Sequence, residues 1–366
     1  MIKDRSIKED VIRYLIQKEW YPQMEIKLLS RKEITASRKE LTDIDVLGLV
    51  PNADGKLFPF TYDCKSGKKV SAITRVFWMK GVMEFFGAKK GSIILGKEVL
   101  EKDHKLVAEE LDIHLFSIKD FSTFSQATAD YLNIHDSALT VGNHWDKYFN
   151  LRKKYPKLEL LIDYLQVGYW NELEANVQLR TLVSILRSIW RELNPDNPEH
   201  RLIVLDVASM FAISLNQIVV MLFNQSLTSF VKEELEADLK SILWGGVENY
   251  TTWNDLRKRA FSQKTEEGTQ LPEDLTLPQW PKFLELVRKT LSKPNIAHRV
   301  PLLFKEQAFI NFDLDQSWSY SNHLVAQNTM LANLAIANLE YLVQSTKLPK
   351  EFAELEVKEL MGLIPQ

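Results

Sequence analysis

The chain has 366 residues, 45% hydrophobic and 26% charged, with a formal net charge of −3 and a single cysteine, Cys64. At roughly 150 residues per domain this length suits two domains with substantial cores, and the composition excludes a mainly disordered chain or a collagen-like repeat. One cysteine excludes an intrachain disulfide and a cysteine-based zinc cage; with the charged start Met1-Ile2-Lys3-Asp4-Arg5 it points to a reducing, cytoplasmic setting.

The elements follow in chain order. Ser6-x-x-Glu9 reads as a capping box, and Val11, Ile12, Leu15 and Ile16 recur at helical spacing, so a helix is expected to about Glu19. Residues 24–29 read as a strand, and after a charged stretch residues 44–50 read as a second. Asn52-Ala53-Asp54-Gly55 is a turn signal, which makes 57–64 the hairpin partner. A helical pattern over 70–86, a short apolar strand over 91–96, a helix over 97–111 and a strand over 113–118 complete the series. Strands alternating with helices in this way imply a mixed sheet of four to five strands flanked by helices.

From residue 121 onward long amphipathic segments dominate: 158–167, 170–193, 201–223, 227–243, 252–261, 280–291, 325–344 and 351–360, separated by Pro and Gly. The expectation is an α/β domain over 1–120 followed by an all-α domain over 121–366. Residues 202–223 are apolar enough to suggest a membrane span. Asp206, Ser209, Ser214, Asn216 and Gln217 interrupt them, which favours a buried core helix and no membrane.

The chemistry concentrates at Asp45, Asp63 and Lys65. Residues i and i+2 of a strand share a face, so Asp63 and Lys65 point the same way, and a hairpin neighbour places Asp45 beside them. Two carboxylates with a lysine make a hard-oxygen site suited to Mg²⁺ or Mn²⁺, able to assist phosphodiester hydrolysis. A surface ion pair is the plain alternative for Asp63 and Lys65, but it leaves Asp45 unexplained in an apolar strand. Asp43 is a possible substitute ligand, and Cys64, pointing to the other face, reads as core. The histidines lack metal-ligand spacing, and no phosphate-binding glycine loop of the Gly-x-x-x-x-Gly-Lys type occurs.

Ile44-Asp45-Val46-Leu47-Gly48 followed by Asp63-Cys64-Lys65 resembles the PD-(D/E)XK nuclease superfamily, closest to its Mrr-type restriction-endonuclease and archaeal Holliday-junction-resolvase branch. The resemblance covers residues 1–120 at most, and the family's proline before the first acid is replaced by Ile44. It implies a restriction-endonuclease-like core with Asp45 and Asp63 as the acids, Lys65 as the catalytic lysine, and Glu9 on the opening helix as an additional ligand. Glu9 read from the residues alone is equally a capping-box partner. Lys68 and Arg75 are candidate phosphate contacts.

The expected function is thus a metal-dependent nuclease acting on DNA more than on RNA, in restriction or other defence against foreign DNA. A nuclease-like fold that only binds nucleic acid or assembles with proteins is the rival, and an RNA nuclease the third reading. The helical domain, rich in tryptophan, is expected to form a homodimer or a partner interface.

Overall fold

The structure, a computed structural model, describes residues 2–31, 39–67, 69–131, 136–225, 232–262 and 274–365. Its first part runs α1 (Arg5–Gln17), β1 (Tyr21–Leu29), β2 (Glu40–Pro51), β3 (Leu57–Lys65), α2 (Ala72–Phe86), β4 (Lys90–Leu95), α3 (Lys102–Glu110), β5 (Ile113–Ser117) and α4 (Ile118–Thr128). The strands form one five-stranded sheet in the order β1-β2-β3-β4-β5. β1, β2 and β3 are antiparallel neighbours, while β3, β4 and β5 are parallel. The hairpin turn between β2 and β3 has Gly55 at φ 82°, the left-handed region that favours glycine. The two parallel steps need crossovers, and α2 and α3 supply them.

The opening helix differs from its expected start. Asp4 occupies the cap position in a left-handed conformation and makes no side-chain cap bond, so Ser6 and Glu9 lie inside the helix and form no capping box. Its buried side, Ile7, Val11, Ile12, Leu15 and Ile16, lies across the antiparallel half of the sheet. At Gly48 the approach is so close that a Cβ would stand 2.8 Å from a Leu15 methyl, which gives that glycine a packing role. On the parallel half, Val76, Met79 and Met83 of α2 pack with Ile93, Leu95, Ile113 and Leu115 in a smaller core.

The rest is helical: α5 (Gly142–Lys154), α6 (Glu159–Asp163), α7 (Ala175–Ile189), α8 (Pro198–Gln225), α9 (Lys232–Leu243), α10 (Val247–Ser262), α11 (Trp280–Leu291), α12 (Pro294–Ala297), α13 (Val300–Ile310), α14 (Tyr320–Gln327), α15 (Met330–Thr346) and α16 (Glu351–Gly362). Helix α8 is long and apolar enough to cross a membrane, but 94% of its apolar window is buried inside the fold. It packs on α7, α11, α13 and α15. Its Asp206 forms a fully buried ion pair with Lys305 at 2.6 Å and accepts a hydrogen bond from Tyr148 at 2.7 Å. Such partners offset the cost of burying a carboxylate.

The expected break near residue 120 is a change of element type rather than a gap in the core. One apolar cluster runs from α1 and the sheet through α8 and α13 to Leu360 in α16. Polar side chains of the helical part also satisfy backbone groups of the sheet. Asn216 Nδ2 donates to the Gly55 carbonyl at 2.7 Å, and Gln217 Nε2 to that of Leu57 at 2.8 Å. The Leu29 amide donates to Asn171 at 2.8 Å.

Candidate active site

Asp63 and Lys65 lie at the carboxyl end of β3, where it runs parallel to β4, and Asp45 lies midway along β2, just past its last pair with β3. This end of a parallel pair is where open α/β sheets place their ligands. The β2–β3 pairing from Pro51↔Leu57 to Val46↔Tyr62 leads directly to Asp45 opposite Asp63. There the Asp45 carboxylate accepts the Cys64 amide at 2.8 Å, so a side chain takes a backbone donor that would otherwise need another partner. Both acids are buried, at 4% and 2% exposure. Lys65 Nζ reaches both, at 2.9 Å from Asp45 and 3.3 Å from Asp63. The three residues singled out from sequence therefore converge.

Three further residues join them. Lys8 of α1, buried at 1% exposure, sits 2.7 Å from the free oxygen of Asp45 and also contacts Glu25 of β1. Glu25 stands opposite Asp45 between the pairs Met24↔Val46 and Ile26↔Ile44, and has a left-handed backbone at φ 55°. Arg75, in the first turn of α2, grips Asp63 with two nitrogens, Nε at 2.7 Å from Oδ2 and a terminal nitrogen on Oδ1. Its guanidinium lies 3.6 Å from the ring centroid of Trp78, a favourable cation–π distance. The result is an alternating chain, Glu25–Lys8–Asp45–Lys65–Asp63–Arg75, with three negative and three positive groups.

The charges perturb one another. Burial would raise the Asp45 carboxyl, but Lys8 and then Lys65 outweigh it and hold the group below its ordinary value. Asp63 goes the other way: burial outweighs Arg75 and Lys65 and raises it. Burial likewise raises Glu25 against the pull of Lys8. Burial works against the charged form of Lys65, yet Asp45 and Asp63 prevail and raise it, so Lys65 is an ammonium at neutral pH. Burial pushes the Cys64 thiol well up, which removes it as a nucleophile.

Glu9 is not part of the chain of charges. Its carboxylate packs against Gly142 at the start of α5, where a Cβ would overlap it, and lies 3.9 Å from Arg5. Adjacent helix positions point about 100° apart, and Lys8 takes the direction that leads to Asp45. Asp43 lies across from Lys27 in the β1–β2 register. Lys68 lies outside the described residues. Sequence reading missed Lys8 and Glu25. Lys8 left a signal, since it falls on the buried stripe of α1 with Val11, Ile12 and Leu15, where an unpaired lysine is not tolerated. Glu25 left none, because the pairing that sets it beside Asp45 is not visible in its own strand.

Among the described residues no group of three or more His, Cys, Asp or Glu side chains stands arranged to hold a metal ion. The donors suit a hard divalent cation in kind, and both carboxylates approach one ammonium, at 2.9 and 3.3 Å. Each of their four oxygens, however, already faces an ammonium, a guanidinium or an amide. A cation fits here if the counter-ions move. A cavity of about 630 Å³ lies elsewhere, between the β2–β3 hairpin and α8, and none of the six ionic residues lines it. Compared with protein-family models, curated proteins and solved structures, the chain matches none.

Proposed function

We propose that the protein is a metal-dependent nuclease of the PD-(D/E)XK type that hydrolyses phosphodiester bonds in DNA. The observation that carries the reading is the meeting of Asp45, Asp63 and Lys65 at the carboxyl end of β3, with both buried carboxylates on one ammonium. Mg²⁺ or Mn²⁺ held by Asp45 and Asp63 would polarise the phosphodiester and activate the attacking water. Lys65, protonated, donates to a phosphate oxygen and offsets the charge that grows on it in the transition state. Lys8 keeps Asp45 ionised from below, and Arg75 offers a planar fork that suits a phosphate.

The helical part, about two thirds of the chain, is assigned target choice and the assembly of a homodimer or partner complex, since cutting a duplex takes two cuts. The apolar length of α8 does not argue for this, because α8 is internal. Exposed Val247, Trp253 and Leu256 on α10 are the better support. The setting we propose for the protein is restriction or other defence against foreign DNA.

A second reading has its own observation. The closed ion chain, with each carboxylate oxygen of Asp45 and Asp63 already paired, also suits a nuclease-like module that binds nucleic acid or assembles with proteins without cutting. Incubating the purified full chain with labelled single- and double-stranded DNA and RNA, in Mg²⁺, Mn²⁺ or EDTA, separates the two. DNA cleavage that EDTA abolishes is expected. Binding without cleavage in either metal favours the second reading, and RNA cleavage alone changes the substrate. Equal cleavage in EDTA rejects metal dependence.

A further inference from the structure

Six charged groups that sum to zero set a condition on what binds next. Adding a divalent cation alone leaves the cluster with an excess of two positive charges in partly desolvated surroundings, where like charges repel strongly. It must also displace hydrogen-bonded counter-ions from the carboxylates. Adding a phosphodiester alone brings a negative charge next to three buried or half-buried acids. Each ligand offsets the charge the other introduces.

Of the three cations, Arg75 is the one placed to exchange partners. The Lys8 side chain, at 2% exposure, is enclosed between Glu25 and Asp45. Lys65 is shared between two acids. Arg75 is 20% exposed in its side chain and bound to Asp63 alone among the acids of the cluster, and it rests on the Trp78 ring. A guanidinium that forks onto a carboxylate forks equally well onto two phosphate oxygens. The ring remains as a platform while the fork changes hands.

Resting on the metal-site reading above, we propose that Arg75 is a positioning residue that couples the two ligands. It covers Asp63 in the free protein, transfers to a substrate phosphate, and thereby frees the Asp63 carboxylate for the divalent cation. Metal and phosphodiester each strengthen the binding of the other, and by thermodynamic reciprocity they do so by the same factor. The free protein is thus guarded against filling its metal site without a nucleic acid in place.

The test uses the full chain near pH 8, Mn²⁺ as the metal and dimethyl phosphate as the phosphodiester. Free Mn²⁺ is followed by electron paramagnetic resonance, and Asp45→Asn defines binding at this site. Coupled sites commonly shift affinity 5- to 150-fold. Excess dimethyl phosphate is therefore expected to tighten Mn²⁺ binding to the wild type about tenfold. Mn²⁺ should tighten dimethyl phosphate binding by the same factor. Arg75→Gln should bind Mn²⁺ more tightly than wild type without phosphodiester and gain less than about twofold from it. If circular dichroism shows that Arg75→Gln does not fold, Arg75→Lys, which keeps the charge but loses the fork, should show reduced coupling. Site-specific Mn²⁺ binding that dimethyl phosphate leaves unchanged overturns the coupling and leaves the metal-site reading standing. No Mn²⁺ binding in any form overturns both.

Discussion

Replacing Lys8 with methionine tests whether the buried ammonium is the counter-ion that keeps Asp45 charged. Lys8 Nζ is 2.7 Å from Asp45 and also meets Glu25, with side-chain exposures of 2%, 4% and 28% for the three. Removing one partner of a buried ion pair costs ~3–5 kcal/mol, because the other charge stays buried. Asp45 keeps Lys65 at 2.9 Å and the Cys64 amide at 2.8 Å, and Met fills most of the lysine's volume. The loss should therefore fall at the lower end, about 3 kcal/mol at pH 8. That is a large share of the ~5–15 kcal/mol that holds a protein folded.

The dependence on pH gives the sharper signature. In the wild type the lowered Asp45 carboxyl contributes stability that is present above its unfolded value and lost as pH falls through the folded one. Without Lys8, burial dominates Asp45 and raises Glu25 further. The sign then reverses, and the variant loses stability as pH rises through those raised values. The deficit against wild type should be small near pH 4 and greatest near pH 8, in urea titrations followed by circular dichroism. Adding Asp45→Asn should recover part of it, with a coupling of ~1–3 kcal/mol. A deficit below about 1 kcal/mol at pH 8, or one that does not change with pH, refutes the assignment.

Three further outcomes are expected. Lys65→Ala should abolish cleavage while leaving nucleic-acid binding nearly intact, as a group acting in the transition state requires; wild-type rates in gel-based cleavage assays would remove Lys65 from the mechanism. Glu25→Gln should weaken Mn²⁺ binding about tenfold and Glu9→Gln less than twofold, since only Glu25 lies beside Asp45; the reverse order, measured by calorimetry, would restore Glu9 as the third acid. Glu356 is buried with an oxygen that has no hydrogen-bond partner, and burial pushes its carboxyl up to about 8 from 4.5. Its contribution is fully present below pH 4.5 and lost as pH rises through about 8. Glu356→Met should therefore match wild type near pH 4.5 and exceed it at pH 8 by an amount on the order of 4 kcal/mol, and equal stability at pH 8 would show the carboxyl to be otherwise compensated.

Much of the α/β part was legible in the residues themselves, because local periodicity carries it. Every strand from β1 to β5 lies within a few residues of its expected span, and 280–291 coincides with α11. The turn at Gly55 and the closeness of Asp63 to Lys65 follow from backbone rules that act within a few residues. The helical part was less legible where burial is complete. Helix α13 is buried on nearly every side, with Lys305, Glu306 and Gln307 enclosed along with Leu302, Phe304 and Phe309, so it shows no amphipathic stripe to read. Helix α8 was read correctly as internal, but the helices it packs on were not legible from its own residues.

At the site the division is the same. Strand alternation and a hairpin neighbour were enough to bring Asp45, Asp63 and Lys65 together. What tertiary structure alone decided is which other charges meet them. The β1–β2 register sets Glu25 opposite Asp45, and the rotation of α1 about its axis sends Lys8 inward and Glu9 toward Gly142. The crossover into α2 lays Arg75 on Asp63. Register and helix rotation depend on how elements from distant parts of the chain pack, with energies summed over many side chains. No short stretch of sequence contains that sum, and so the motif was visible in the residues while its counter-ions were not.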